Sequence, residues 1–299
     1  MKLEFYTCDV FTRNRFGGNP LAVIPDARGL SSRQMQQIAR EFNYSETTFV
    51  LPPEQGHDRK VRIFTPAREV PFAGHPNIGT AFTLAATGLL GPVSDGHVIT
   101  FEEKAGLVRI SLAISKTGNM RCELLAPQKL SVGPVVMPEL AAPALTLDVA
   151  DINLSVHPPC VAGVGLSFLI VELSGQDALA RARFNSAVME ALEKEGIAPD
   201  ILLYTRSEEH CDIQARMFAP LDGVPEDPAT GSANCALAAL LTYYEKASSG
   251  QFSWIISQGV EMGRPSRLYA RTEKASGEVI ATRIAGDSVL VSHGELYID

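Results

Sequence analysis

The chain has 299 residues, enough for two domains of ordinary size, each able to bury its own core, or for one large domain. It carries 26 Lys and Arg against 34 Asp and Glu, a net charge of −8, with no basic run of the kind that tracks phosphates, so nucleic acid is not expected as a partner. The opening MKLEFYTCDV sets Glu, Thr, Cys and Asp where a signal peptide needs an uninterrupted apolar core. The two longest charge-free stretches, Val70 to Ser94 and Pro228 to Tyr244, are respectively broken by Gly and Pro and too short to span a bilayer. A cytoplasmic protein with no membrane segment is the expectation, and the two stretches read as buried helices.

Short strand candidates alternate with turns from the start: Leu3 to Phe11, Leu21 to Ile24, Thr47 to Leu51, Lys60 to Thr65, Val98 to Glu102 and Gly106 to Ala113. One surface helix interrupts them. In SSRQMQQIAREF, Ser31 and Gln34 form a capping box, and Met35, Ile38, Ala39 and Phe42 share one helical face, which predicts packing onto a sheet. From Leu125 to Leu147 the composition shifts, with Pro127, Pro134, Pro138 and Pro143 and little periodicity, which marks a domain crossing. A second set follows: strands at Ser167 to Leu173, Ile201 to Thr205, Asp212 to Phe218 and Phe252 to Ser257, a helix around Ser186 to Glu195, and strands to the C-terminus. There SVLVSHGELYID reads as two short strands around a Gly turn. Cys8, Cys122, Cys160, Cys211 and Cys235 are scattered without a C-x-x-C, and the six histidines lack H-x-H or H-x-x-x-H spacing, so reduced structural cysteines and no metal are expected.

The second half repeats the first. Arg62, Phe64 and Pro66 match Arg216, Phe218 and Pro220 at an offset of 154, and Pro71, Gly74 and Asn77 match Pro228, Gly231 and Asn234 at an offset of 157. In both units the segment after the loop, NIGTAFTLAATG or ANCALAALLTYY, is apolar all round, which places a helix inside a surrounding layer. The architecture implied is α+β, with two similar lobes, each a curled sheet around a central helix.

The loops entering the two helices carry Gly74-His75-Pro76 and Asp227-Pro-Ala-Thr-Gly231-Ser232. A helix N-terminus offers unpaired N–H groups and a positive dipole end to a carboxylate or phosphate, and Gly lets a ligand approach the backbone. If the lobes face each other about a pseudo-twofold axis, the two ends meet, with His75, Asp227 and Ser232 at the rim. A His between Gly and Pro is otherwise a loop hydrogen-bonder, and Asp227 otherwise a cap. GHPNIGT lacks the lysine of a phosphate loop, AGVGLSF lacks the third glycine of a dinucleotide fingerprint, and no G-x-S-x-G is present.

FGGNPLAV (16–23), NYSETTFV (43–50), RIFTP with PFAGHPNIGTA, EDPATGSAN (226–234) and SQGVEMGRPS (257–266), in this order and nearly end to end, resemble the phenazine biosynthesis protein PhzF family. The resemblance implies a diaminopimelate epimerase-like fold: two pseudo-symmetric lobes, residues 1–125 with 285–299 and residues 126–284, each a β-barrel-like sheet around a central helix, with the active site between them. It also implies a homodimer. Epimerases of that fold use a cysteine at each helix end; here the ends read His75 and Ser232, and Cys235 lies a turn deeper, so a two-thiol mechanism is disfavoured. The family instead implies a carboxylate base, at Glu46 of YSETTF. Beside Tyr44 and Phe49 that glutamate can be partly desolvated, which raises its pKa and lets it take and return a proton. Read from the residues alone it would be a solvent-facing strand glutamate.

By resemblance the reaction is a cofactor-independent isomerisation of a dihydro-hydroxyanthranilate-like carboxylic acid. Glu46 shuttles the proton, His75 and Asp227 hydrogen-bond the substrate, Ser232 with the N–H groups near Gly74 and Gly231 binds its carboxylate, and Ser45 adds a polar contact. The alternatives are an amino-acid epimerase or racemase, with Asp227 or His75 as second base, and a non-catalytic binding protein on the same fold.

Overall fold

The computed structural model describes residues 2–207 and 210–298. The chain divides into two compact units, Met1–Leu125 with Ala285–Asp299, and Ala126–Ile284.

The first unit contains β1 (Lys2–Val10), β2 (Asn19–Ile24), α1 (Ser32–Phe42), β3 (Glu46–Leu51), β4 (Arg59–Phe64), β5 (Glu69–Val70), α2 (Gly74–Ala86), β6 (Val98–Glu103), β7 (Gly106–Ile114) and β8 (Met120–Leu125). β1 pairs antiparallel with β2, β2 runs parallel to β3, and β3 is antiparallel to β4. β4 is parallel to β6, and β6, β7 and β8 form an antiparallel meander. The last strand of the chain, β17 (Glu278–Tyr297), pairs with both β8 and β1 and so closes the ring. Closure leaves no free edge in that ring of strands. Inside it α2, buried all round because its sequence has no polar face, packs against β1, β2, β3, β7 and β8. Outside, α1 lays Met35, Ile38 and Ala39 over Leu3, Ile24, Phe49 and Phe64. Its capping box is formed, with the Gln34 N–H donating to Ser31 Oγ and the Ser31 N–H to Gln34 Oε1.

The second unit contains β9 (Ser131–Val135), α3 (Pro138–Ala144), β10 (Cys160–Gly163), β11 (Ser167–Glu172), α4 (Gln176–Arg181), α5 (Ser186–Lys194), β12 (Ile201–Arg206), β13 (Ile213–Ala219), β14 (Val224–Asp227), α6 (Gly231–Tyr244), β15 (Gly250–Gln258) and β16 (Ser266–Ala275). The antiparallel-then-parallel order recurs: β11 is parallel to β12, β12 antiparallel to β13, β13 parallel to β15, and β15 antiparallel to β16. α6 is buried along its length against β10, β11, β12, β15 and β16. A separate apolar layer joins α3, α4 and α5 to Leu169, Val171, Ile201, Leu203 and Phe218.

The C-terminal segment makes no Gly turn: β17 runs through as one strand, with Gly294 opposite Phe5 in register. A Cβ at Gly294 would lie 2.8 Å from the Phe5 ring, so this glycine serves close packing against the facing ring. The proline-rich stretch after residue 125 also holds regular structure. Pro138 occupies the first turn of α3, where no N–H is needed, and Pro143 falls in its last turn, so the prolines bound a short helix.

The matched arginines brace equivalent loops. Arg62 grips Glu69 through Nε and Nη2 at 2.8 and 2.9 Å, and Arg216 grips Glu226 through the same atoms at the same distances. Each guanidinium also lies over the phenylalanine two residues on, Phe64 or Phe218, at 5.1 and 4.8 Å. These forks tie a central strand to the short strand that leads toward the buried helix.

Candidate active site

β2 and β3 are parallel neighbours, Leu21 opposite Glu46, so the residues at their starts, Asn19, Ser45 and Glu46, sit side by side. The FGGNP turn delivers Asn19. Gly18 has φ +60°, and a Cβ there would lie 2.2 Å from the Val10 carbonyl oxygen, so only glycine fits. His75, second residue of α2 and 4% exposed, completes the group.

The hydrogen bonds set the tautomer of His75. Ser45 Oγ lies 3.4 Å from Asn19 Oδ1, which orients the amide so that Asn19 Nδ2 donates to His75 Nδ1 at 3.2 Å. The imidazole proton is therefore on Nε2, which faces Glu46 Oε2 at 3.4 Å. Burial pushes the His75 imidazole down to about 3, so this contact is a neutral N–H aimed at a carboxylate and not an ion pair. The Glu46 side chain keeps 18% of its surface exposed, against the expectation of a solvent-facing strand residue. At 3.4 Å the contact is longer than a full hydrogen bond, a spacing that catalytic groups commonly show before substrate binds.

The folded imidazole resists protonation down to about 3, whereas the unfolded one takes a proton near 6.5. Stability from this group is thus intact above 6.5 and is lost as pH falls toward 3. Imidazole 15N spectra should show His75 as the neutral Nε2–H tautomer, with no protonation of the ring down to pH 5; a protonation midpoint near 6.5 would contradict the assignment.

In the second unit Asp227 ends β14 and is 7% exposed. It is not the helix cap: Thr230 is the N-cap of α6, and its hydroxyl donates to Asp227 Oδ2. Gln258 locks the turn, its Nε2 donating to the Asp227 carbonyl at 2.7 Å and its Oε1 accepting from Thr230 N–H at 3.1 Å and Asn234 Nδ2 at 2.7 Å. Ser232 is the second residue of α6, half-buried, as His75 is the second of α2. In both helices the fourth residue, Asn77 or Asn234, donates to the N-cap carbonyl at 2.9 Å. Unlike α1, neither α2 nor α6 has a side-chain cap or an acidic residue in its first turn, so neither first turn at Gly74 or Gly231 is neutralised by its own side chains. Cys235 is buried and its thiol is pushed up to about 12, which fits packing. No group of three His, Cys, Asp or Glu side chains suited to a metal occurs among the described residues.

Residues 8–294 match the model of the phenazine biosynthesis-like protein family, PhzC-PhzF. The chain belongs to this family. It is 34% identical to the trans-2,3-dihydro-3-hydroxyanthranilate isomerase of Pseudomonas aeruginosa and 35% identical to an uncharacterized isomerase of Mesorhizobium japonicum, covering 99% and 97% of both chains in each pair. The crystal structure of the Bacillus anthracis PhzF family protein superposes with a TM-score of 0.90 at 28% identity, over the whole of both chains. The protein is thus a PhzF-family isomerase with the α+β fold expected of one.

The structure sets Ser45, Glu46, Gly74 and His75 together in the first unit, and Asp227, Gly231 and Ser232 together in the second; the sequence reading expected all seven around one cleft. That reading missed Asn19, Thr230 and Gln258, the side chains that orient them. Asn19 stood in the quoted FGGNP motif; what identifies it is the strand neighbour that only the fold supplies.

Proposed function

We propose that this PhzF-family isomerase moves a proton on a small unsaturated cyclic amino or hydroxy acid of the dihydro-hydroxyanthranilate type, with Glu46 as the proton carrier. The observation that carries this reading is the half-buried Glu46 carboxylate facing the neutral Nε2–H of His75, itself held by Asn19. The Glu46 carboxylate takes a proton from one carbon as its C–H bond breaks, and the electron pair spreads over the conjugated system. The Glu46 carboxyl then returns that proton to a second carbon, so charge and atoms balance without a redox step. His75 Nε2–H steadies the carboxylate or the polar substituent on which charge gathers. With the two helix ends acting on one substrate, as the family resemblance implies, Asp227 accepts from a polar substituent, and Ser232 with N–H groups near Gly74 and Gly231 holds the acid.

The test is conversion of trans-2,3-dihydro-3-hydroxyanthranilate, followed by NMR. Formation of its isomer supports the reading, and deuterium entering a stereocentre with the double bonds unmoved would make the protein an epimerase instead. Under this scheme Ser232→Ala removes an anchor and leaves the base. KM should rise about 10- to 150-fold with kcat reduced less, since a hydrogen bond from a neutral donor to an ionised group is worth about 1.5–3 kcal/mol. Steady-state kinetics on the same acid measures the split.

A further inference from the structure

Strand register places Glu103 and Gln258 at equivalent positions. In the first unit β4 and β6 align Arg59 with Phe101 and Lys60 with Glu102; in the second β13 and β15 align Ile213 with Ile256 and Gln214 with Ser257. Arg59 and Ile213 are related by the 154-residue offset of the repeat, so the next residue along β6 is the counterpart of the next along β15. Gln258 clamps the turn before α6 through a donor and an acceptor, one of its bonds going to Asn234. Glu103 lies beside Asn77, the counterpart of Asn234.

Two adjacent glutamates on β6 meet opposite fates. Burial opposes ionisation of Glu102, but backbone N–H groups of Glu54, Gln55 and His57 at 2.6, 2.7 and 3.2 Å outweigh it and hold that carboxyl low. Glu103 shares the other face with Ile99 and Phe101. Both its oxygens are closed to water and complete no hydrogen bond among the described residues, and Asn77 Oδ1 is in the same state. Asn77 in turn holds the Ala73 carbonyl at the start of the helix that presents His75.

We propose that Glu103 is a positioning residue for His75: as an un-ionised carboxyl it offers one donor and one acceptor, as the Gln258 amide does, and steadies Asn77 and with it the first turn of α2. The role rests on the reading of His75 as part of the active site. Burial pushes the Glu103 carboxyl up to about 8, the Asn77 amide working the other way, so the proton stays on at neutral pH and leaves just above it. The charged groups around it are already committed. Lys60 pairs with Glu54 and Arg62 with Glu69, Glu102 is held by backbone, Lys104 is exposed, and His75 is neutral.

The test needs no substrate in its first arm. Imidazole 15N signals of His75, assigned by their loss in His75→Gln, are followed from pH 6 to 9.5 in the wild-type chain, Glu103→Gln and Glu103→Leu. The wild-type signals should move with a midpoint near 8, those of Glu103→Gln should stay constant, and those of Glu103→Leu should be displaced already at pH 6. Superimposable wild-type and Glu103→Gln curves would overturn the proposal, and this comparison decides alone if Glu103→Leu fails to fold. In the second arm, kcat with trans-2,3-dihydro-3-hydroxyanthranilate should fall about tenfold per pH unit above 8 in the wild-type chain and not in Glu103→Gln. Equal alkaline limbs count against the positioning role. If neither protein turns over that acid while the His75 signals behave as stated, the substrate reading fails and the positioning role stands.

Discussion

Glu46→Gln is expected to lower kcat by about 10²- to 10⁴-fold, which is about 3–5 kcal/mol of barrier, with KM changed little. The amide has nearly the volume of the carboxyl, and its oxygen still accepts from His75 Nε2–H, so the contact at the start of β3 survives. What is lost is basicity, since an amide cannot take a proton from carbon and return it. The group is also partly exposed, with 18% of its side-chain surface open, so water can solvate the amide that replaces it. A loss confined to kcat is therefore the signature to look for in steady-state kinetics, and a rise in KM alone would make Glu46 a binding residue.

The largest stability effect is expected at Arg216. Its side chain is 4% exposed, forks onto Glu226, and also donates to the carbonyls of Leu179 and Ala182 at 2.8 and 2.9 Å, at the end of α4. Arg216→Ala strands the Glu226 carboxylate and two backbone acceptors together, and should cost about 3–5 kcal/mol. Its repeat partner Arg62 makes the same fork to Glu69, but both side chains are more than a fifth exposed. Water can take over there, and Arg62→Ala should cost only about 1 kcal/mol or less. Urea unfolding of the two variants under one buffer measures the difference; equal midpoints would mean that burial does not set the strength of these forks.

The fold was legible where the signal is local or repeated. The capping box of α1 needs only Ser31 and Gln34, and the two buried helices announce themselves because NIGTAFTLAATG and ANCALAALLTYY have no polar face. The repeat pairs His75 with Ser232 and Asn77 with Asn234 in the sequence itself. Tertiary pairing was not legible. Gly294 reads as a turn until Phe5 is placed against it, and Asn19 reads as a turn residue until parallel pairing of β2 and β3 sets it beside Ser45. Glu103 and Gln258 differ in sequence, and only strand register shows that they occupy one position in two units. The choice of Glu46 as base came from the family resemblance, because one glutamate opening an apolar strand has no local mark that separates it from a solvated one.

The proton carrier is tested most directly by NMR of trans-2,3-dihydro-3-hydroxyanthranilate in deuterated water with the wild-type chain, Glu46→Gln and Asp227→Asn. The account predicts isomerisation by the wild-type chain, slower isomerisation by Asp227→Asn, and neither product nor exchange with Glu46→Gln on the wild-type timescale. Wild-type turnover by Glu46→Gln together with an inert Asp227→Asn would contradict it and move the base to the aspartate before α6.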